Sequence, residues 1–327
     1  PAVAAALAAG VRDANPAAGV DCCPLGDGGE GTGQILATAL DAEARSATVL
    51  DPLGRPRTAN WWFCAAERTA IVEMAEASGL ALLSPQERDA RRTTSYGVGQ
   101  LIAAAVADGC DHILLCVGGS ATVDGGAGCL QALGWQLVAD GGQRITTAVT
   151  GADLRRVRAL QSPPNLPHVS LEVLCDVDHP LLGPRGAAAV FAPQKGASPD
   201  AVRELESGLA SWSEILQRDC GEDVSGLAGA GAAGGLPAGL AATLGARLVS
   251  GFDVVARCVR LRERLEASVM CLTGEGCIDS QTIGGKVVAG VARLAHAANV
   301  AVIAFTGVVR CESGQTVAGL AGALGLR

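Results

Sequence analysis

The 327-residue chain is 49% hydrophobic and 18% charged, with 44 glycines and a formal net charge of −8. That balance supports a large buried core and about two domains of ordinary size, and it excludes a disordered chain. An acidic chain with 3% aromatic residues and no Arg/Lys run lacks the basic, aromatic-lined face of a nucleic-acid binder.

In chain order, the apolar stretch Ala4–Ala9 lacks a basic segment before it and is broken by Arg12-Asp13, so it is not a signal peptide. It reads as a helix whose preceding strand lies upstream, and the chain therefore reads as a fragment. Val20–Leu25 predicts a strand that empties through Gly26-Asp27-Gly28-Gly29-Glu30-Gly31 into a helix over Thr32–Leu40. The segment Asp51–Phe63, with Pro52, Gly54 and Pro56, reads as a crossing into a second domain. A strand over Ala70–Met74 follows, and Thr93-Thr94-Ser95 places three hydroxyls at the start of a helix over Tyr96–Asp108. Those hydroxyls are readable as ligand donors or as a helix cap.

His112–Val117 predicts a buried strand, and beyond it the loop Gly118–Gly128 carries five glycines, two hydroxyls and Asp124 before the helical pattern of Cys129, Leu130 and Leu133. A glycine-rich exit from a strand into a helix exposes backbone N–H groups suited to phosphate. An acid inside it is explained by a bound cation or a hydroxyl substrate, or by capping of the next helix. After the extended connection Gln161–Pro167, a strand over Val169–Cys175 ends in Asp176 and Asp178. Lys195 is a lone cation in the loop Phe191–Gly196, and Ser198 and Pro199 open a helix over Pro199–Arg218 with Val202, Leu205, Leu209, Trp212 and Leu216 on one face. Leu227–Gly239 is a Gly/Ala-rich connection. A strand over Val269–Leu272 leads into a third acidic glycine loop, Thr273–Asp279. Lys286 then heads a helix over Val287–Ala298, and a strand covers Val300–Phe305. Short apolar runs alternating with helical patterns define the α/β class.

Three strand-to-helix loops, carrying Asp27, Asp124 and Glu275, form a set whose natural convergence point is the carboxyl end of a parallel sheet. Mg²⁺ suits them, as a hard cation held by one or two carboxylates plus phosphate oxygens. Gly26-x-Gly28-x-x-Gly31 also matches the dinucleotide fingerprint, but Asp27 and Glu30 occupy the place of a pyrophosphate. The phosphate-binding pattern ending in Gly-Lys-Ser/Thr is absent, and Gly118-x-Ser120-x-Thr122 fails the nucleophile-elbow pattern of serine hydrolases. Twelve scattered cysteines with no C-x-x-C pair read as reduced thiols of a cytoplasmic protein, and four histidines away from them argue against zinc. No apolar stretch reaches the length of a membrane span.

Taken in order, Pro24–Thr32, Thr93–Gly97, Gly118–Gly128, Cys175–Asp178, Phe191–Gly196 and Thr273–Gly276 closely resemble the bacterial glycerate kinase family over nearly the whole chain. The resemblance implies ATP-dependent phosphorylation of D-glycerate to 2-phosphoglycerate with Mg²⁺, with 3-phosphoglycerate as the alternative product. It implies two α/β domains around a cleft, one inserted into the other: a flavodoxin/Rossmann-like outer domain over 1–55 plus 267–327 and a mixed α/β domain over 56–266. Family members normally begin with a strand and an Asp-Ser-Phe-Lys segment ahead of the position of Pro1, and continue past the equivalent of Thr306-Gly307.

On this basis Asp27, Asp124 and Lys195 are the expected catalytic residues, with Asp27 and Asp124 as Mg²⁺ ligands. The expected substrate and nucleotide contacts are Gly28, Gly29, Glu30, Thr94, Ser95, Gly118, Gly119, Ser120, Thr122, Gly125, Gly126, Asp176, Asp178, Gly274, Glu275 and Lys286. The amides of Gly118, Gly119 and Gly125 are expected on phosphate. Partners are the small-molecule substrate and ATP, in a monomer or homodimer. A non-catalytic binder of a phosphorylated metabolite and a dehydrogenase using Gly26–Gly31 remain the alternatives.

Overall fold

The computed structural model describes residues 2–165, 169–278 and 287–310. In chain order its elements begin with α1 (Ala2–Ala14), α2 (Thr32–Ala39), β1 (Glu43–Leu50), β2 (Pro56–Cys64), β3 (Thr69–Glu73), α3 (Ala75–Ser78) and α4 (Tyr96–Ala107). Next come β4 (His112–Cys116), α5 (Ala127–Ala132), β5 (Gln136–Ala139), β6 (Val157–Gln161), β7 (Ser170–Leu174), α6 (Ala187–Phe191) and α7 (Pro199–Cys220). The last are α8 (Leu236–Leu244), β8 (Arg247–Val249), α9 (Gly251–Cys258), α10 (Leu261–Glu266), β9 (Met270–Ile278), α11 (Val287–Ala297) and β10 (Ala301–Val309).

The chain divides into two compact units, Pro1–Asp27 with Ser250–Arg327, and Gly28–Val249. One unit is thus inserted into the other, but the divisions fall after Asp27 and after Val249 rather than after 55 and 266. Strand pairing sets the first division: β1 pairs antiparallel with β2 from Glu43↔Phe63 to Leu50↔Pro56, so 43–55 cannot part from 56–64. Helix packing sets the second. Gly290 of α11 lies against the Phe252 ring of α9, where an added Cβ would sit 2.3 Å from ring carbon, and Arg293 pairs with Asp253 at 2.8 Å.

The Gly28–Val249 unit is built on a six-stranded sheet of order β1-β2-β3-β4-β7-β8. Strands β3, β4, β7 and β8 run parallel, and β1 and β2 extend the sheet as an antiparallel edge. Every residue of β3 is buried, and Ile113–Cys116 of β4 and Leu171–Leu174 of β7 are buried as well. Continuous apolar runs of this kind are expected where helices cover both faces of a parallel sheet. The core joins Trp61, Val72, Ile113 and Val173 of the sheet to Leu101 and Ile102 of α4 and to Leu205, Leu209, Trp212 and Leu216 of α7. Ser198 caps α7 as expected, accepting from the Ala201 N–H at 3.2 Å.

In the other unit, β9 and β10 pair in parallel from Ala301↔Met270 to Val309↔Ile278. Two expectations are corrected here. Val20–Leu25 is not a strand: the segment has no ladder partner among the described residues, and it holds Pro24, which cannot donate to one. Thr273–Ile278 is strand rather than loop. Gly274 is required there because the Phe305 carbonyl comes within 2.3 Å of where its Cβ would stand.

Candidate functional site

The parallel strands of the inserted unit point their carboxyl ends at one cluster of loops. Gly28 lies directly on the end of β7: a Cβ there would meet the Leu174 carbonyl oxygen at 2.4 Å, and its φ is +89°. Its carbonyl accepts the Gly118 N–H at 3.0 Å, just past β4. Gly118 in turn packs on Gly29, 2.5 Å from the position of an added Cβ. The loops 28–31 and 118–120 therefore touch backbone to backbone, which only glycines allow. Gly119 adopts φ +69° and faces the exposed Glu30, whose Oε2 is 3.4 Å from the position of a Gly119 Cβ. The Leu80 N–H donates to Gly119 O at 2.8 Å, and the Ala121 N–H to Ser78 O at 2.9 Å, so the loop is fixed on both sides of Ser120.

Lys195 enters this loop from behind. It ends a single helical turn after Pro193, and Gly196 follows at φ +88°, where the Arg88 carbonyl leaves no room for a side chain. The Lys195 side chain is 1% exposed. Its Nζ donates to Ser120 Oγ at 2.7 Å and to the Thr122 carbonyl at 2.8 Å. Burial pushes its pKa down to about 7, and the Asp124 charge draws it part of the way back.

Asp124 is also sealed, at 0% exposure. Its Oδ2 accepts the backbone N–H and the hydroxyl of Ser95, both at 2.7 Å, and its Oδ1 accepts the Gly126 N–H at 3.2 Å. Burial raises its pKa, while these bonds and one from the Gly128 N–H lower it. Ser95 Oγ accepts the Cys129 N–H at 2.9 Å, so its own proton must go to Asp124. All the groups found on the carboxylate are donors, the pattern of an ionised group holding the starts of α4 and α5 together. Asp124 fills the anion position of its own glycine loop. The loop is correspondingly tight: Gly125 has φ +61°, Trp212 Nε1 donates to Gly125 O at 2.9 Å, and the Gly125 N–H donates to Gly234 O at 3.0 Å.

The expected residues thus separate into groups. Gly28, Gly29, Glu30, Gly118, Gly119, Ser120 and Lys195 come together at the strand ends. Thr94, Ser95, Thr122, Asp124, Gly125 and Gly126 form a buried framework behind them. In this framework Thr94 Oγ1 accepts from the Tyr96 N–H at 3.2 Å, and Thr122 Oγ1 donates to Ala233 O at 3.4 Å. The Gly118 and Gly125 amides already donate to carbonyls, which corrects the expectation that they face phosphate. Past β7, Asp176 is half-buried; Asp178 is exposed and paired with Arg185 at 3.0 Å, which lowers its pKa. Asp27, Gly274 and Glu275 belong to the other unit, with Glu275 opposite Thr306 in the β9–β10 ladder. Lys286 lies outside the described residues. Among the described residues no group of three or more His, Cys, Asp or Glu side chains is arranged to hold a metal ion.

Two residues escaped the sequence reading. Glu73 ends the apolar strand β3 and is 6% exposed; its Oε1 accepts the Gly33 N–H at 2.6 Å, and the Gly31 N–H adds a second bond. It caps α2 from across the sheet, since Gly31 offers no side chain. Burial raises its pKa, and the neighbouring Glu76 and Glu30 carboxylates add to the rise. An acid closing an otherwise apolar strand was the available signal. Arg88, against Gly196, has a buried Nε with no partner among the described residues.

The fold is that of an α/β protein whose glycine loops gather at the carboxyl ends of parallel strands, where such sheets commonly place ligands. The sequence model of the Glycerate kinase family matches residues 1–326. The chain belongs to the glycerate kinase family. It is 41% identical over 305 residues to a glycerate kinase of Halalkalibacterium halodurans, covering 93% of this chain and 80% of that one. It is 41% identical over 308 residues to the glycerate 2-kinase of Escherichia coli, with the same coverage. A crystal structure described as glycerate kinase 2 from Salmonella typhimurium superposes with a TM-score of 0.81 at 39% identity, covering 98% of this chain and 89% of that one.

Proposed function

We propose that this protein transfers the γ-phosphoryl group of ATP to D-glycerate and releases 2-phosphoglycerate. The observation that carries the reading is the family match from residue 1 to 326, joined by an Escherichia coli relative named for the 2-position. Phosphoryl transfer demands positioning and charge neutralisation more than covalent chemistry from the protein. The site meets that demand with a rigid pair of glycine loops, a half-buried hydroxyl at Ser120 and a buried amine beneath it.

A magnesium ion is part of the reading. Asp124 does not fit as its ligand, because its oxygens are sealed and engaged by Ser95, Gly126 and Gly128. Asp27 fits by chemistry: it is a half-buried carboxylate on the glycine loop, and Mg²⁺ commonly takes one or two carboxylates plus phosphate oxygens. When bound, the ion supplies neutralisation of the phosphates. Asp27 would hold it, the Ser120 hydroxyl would donate to an anionic oxygen of the reactants, and Glu73 fixes the start of α2 so that Gly28–Gly31 keeps its course over the strand ends.

The reading includes a cytoplasmic protein acting as a monomer or homodimer. No helix among the described residues is long and apolar enough to cross a membrane. Incubation with ATP, Mg²⁺ and D-glycerate should give ADP only when glycerate is present, and NMR of the product should show the phosphate on the 2-oxygen. A 3-phosphate would overturn the regiochemistry. Ligand-induced thermal stabilisation without turnover would identify a binder instead.

A further inference from the structure

Lys195 was expected to meet substrate directly, yet its side chain is 1% exposed and its Nζ ends on Ser120 Oγ and Thr122 O. We propose that Lys195 is a positioning residue: from inside the protein it holds the Ser120 hydroxyl oxygen, so that the Ser120 O–H is presented at the loop mouth as a donor to an anionic oxygen of the reactants. The proposal rests on the kinase reading above and specifies how this part of the site recognises its ligand.

The geometry follows from donor and acceptor counting. A protonated lysine has three N–H donors and no lone pair, so across the 2.7 Å contact Ser120 Oγ can only accept. The serine proton must then leave in another direction. The Thr122 carbonyl accepts from Lys195, and Gly119 beside Ser120 is exposed. Ser120 itself is half-buried at this opening. Hydrogen bonds on both sides fix the backbone, through Gly119 O and the Ala121 N–H, so the hydroxyl cannot retreat by loop movement. The result is an oriented neutral donor polarised by a cation that never touches the ligand. Such a donor favours a carboxylate or phosphate oxygen over water.

Deprotonation of Lys195 reverses the arrangement. A neutral amine has a lone pair, and the Ser120 proton can turn inward to it. Among the groups around the amine, Asp124 favours the charged form, Arg88 lies against Gly196, and α6 carries no ionisable side chain. With burial holding the pKa to about 7, the outward donor is present at low pH and withdraws as pH rises through that value.

The test is a double-mutant cycle on the purified protein with Ser120→Ala, Lys195→Met and the pair, measuring kcat and the KM values for D-glycerate and for ATP. Each single change should raise one KM by roughly 10- to 100-fold, the scale of one charge-assisted hydrogen bond, with a smaller effect on kcat. The double variant should be no worse than the singles. Ser120→Thr, which keeps the hydroxyl, should restore most of the loss. Which KM moves identifies the oxygen as belonging to glycerate or to the nucleotide. In the wild type that KM should climb above about pH 7, and in Ser120→Ala the climb should vanish. Multiplying losses, or unchanged KM values in the single variants, would overturn the positioning role and leave the kinase reading intact. Absence of glycerate-dependent ADP formation in the wild type would overturn both.

Discussion

Asp124 and Ser95 meet twice at one oxygen: the backbone N–H and the hydroxyl of Ser95 both donate to Asp124 Oδ2, each at 2.7 Å. The contact lies in the interior of the glycine loop that by sequence alone looks made for phosphate. The Asp124 carboxylate occupies the interior of this loop, and the proposed reaction accordingly uses Gly118–Ser120 instead.

The first prediction concerns that contact. Asp124→Asn substitutes an amide N–H for one acceptor oxygen and leaves a donor facing donors. Loss of buried charge-assisted bonds should destabilise the protein by about 2–4 kcal/mol, and Ser95→Ala by about 1–3 kcal/mol. Urea unfolding of the two variants and their combination measures this. Because both residues serve one contact, the double variant should cost less than the two changes added together. A full stability match between Asp124→Asn and wild type, with lost turnover, would return Asp124 to a direct catalytic role.

Lys195 sets a second expectation, in stability against pH. Its folded pKa of about 7 lies below the ordinary lysine value. Between those two values the unfolded chain binds the proton and the native protein does not, so this group makes stability rise with pH from about 7 to about 10. At full effect the slope is about 1.4 kcal/mol per pH unit. Lys195→Met removes both the buried charge and the slope. Denaturation midpoints should show the variant more stable than wild type at pH 7, with the gap closing toward pH 10. Parallel pH profiles for the two proteins would contradict a buried, displaced amine.

Glu73 provides a third. Glu73→Ala strips the start of α2 of its acceptor and should lower stability by about 1–3 kcal/mol. Glu73→Gln keeps one oxygen on the Gly33 N–H and should recover part of that loss. Both should disturb the Gly28–Gly31 loop, read as faster amide hydrogen exchange there than in α7. Unchanged exchange in Glu73→Ala would remove its claim to fix the loop.

Much of this architecture was legible in the sequence because the central strands are buried on both faces. Ala70–Met74, His112–Val117 and Val169–Cys175 each read as apolar runs and became β3, β4 and β7 to within a residue or two. The β1–β2 edge was not legible: Glu43–Arg45 is exposed throughout, and Pro56 with Gly54 looked like a linker rather than the turn and first residue of a hairpin. Lys195 stood out as a lone cation, but its burial is a property of the fold. Nothing local in Pro193-Gln194-Lys195-Gly196 says that the side chain passes beneath Ser120. The three acidic glycine loops looked alike because spacing carries no depth. Asp124 is interior, Glu275 is in a strand ladder, and Asp27 is a half-buried loop residue with no strand before it.

Asp27 therefore bears the sharpest activity prediction. The proposed reaction assigns it the cation or the glycerate hydroxyl. Asp27→Asn preserves size and hydrogen bonding but removes the charge that would hold Mg²⁺. If the carboxylate acts in the transition state, kcat should fall at least ~10²-fold, with the fold intact by circular dichroism. A purely ground-state contact would instead raise KM and spare kcat. Raising the Mg²⁺ concentration separates the two roles further. A weakened metal site should regain part of its rate as Mg²⁺ increases, whereas a lost proton acceptor should not respond. Near-normal turnover at every Mg²⁺ concentration would exclude Asp27 from the chemistry and shift attention to Glu30, the remaining carboxylate on the same loop.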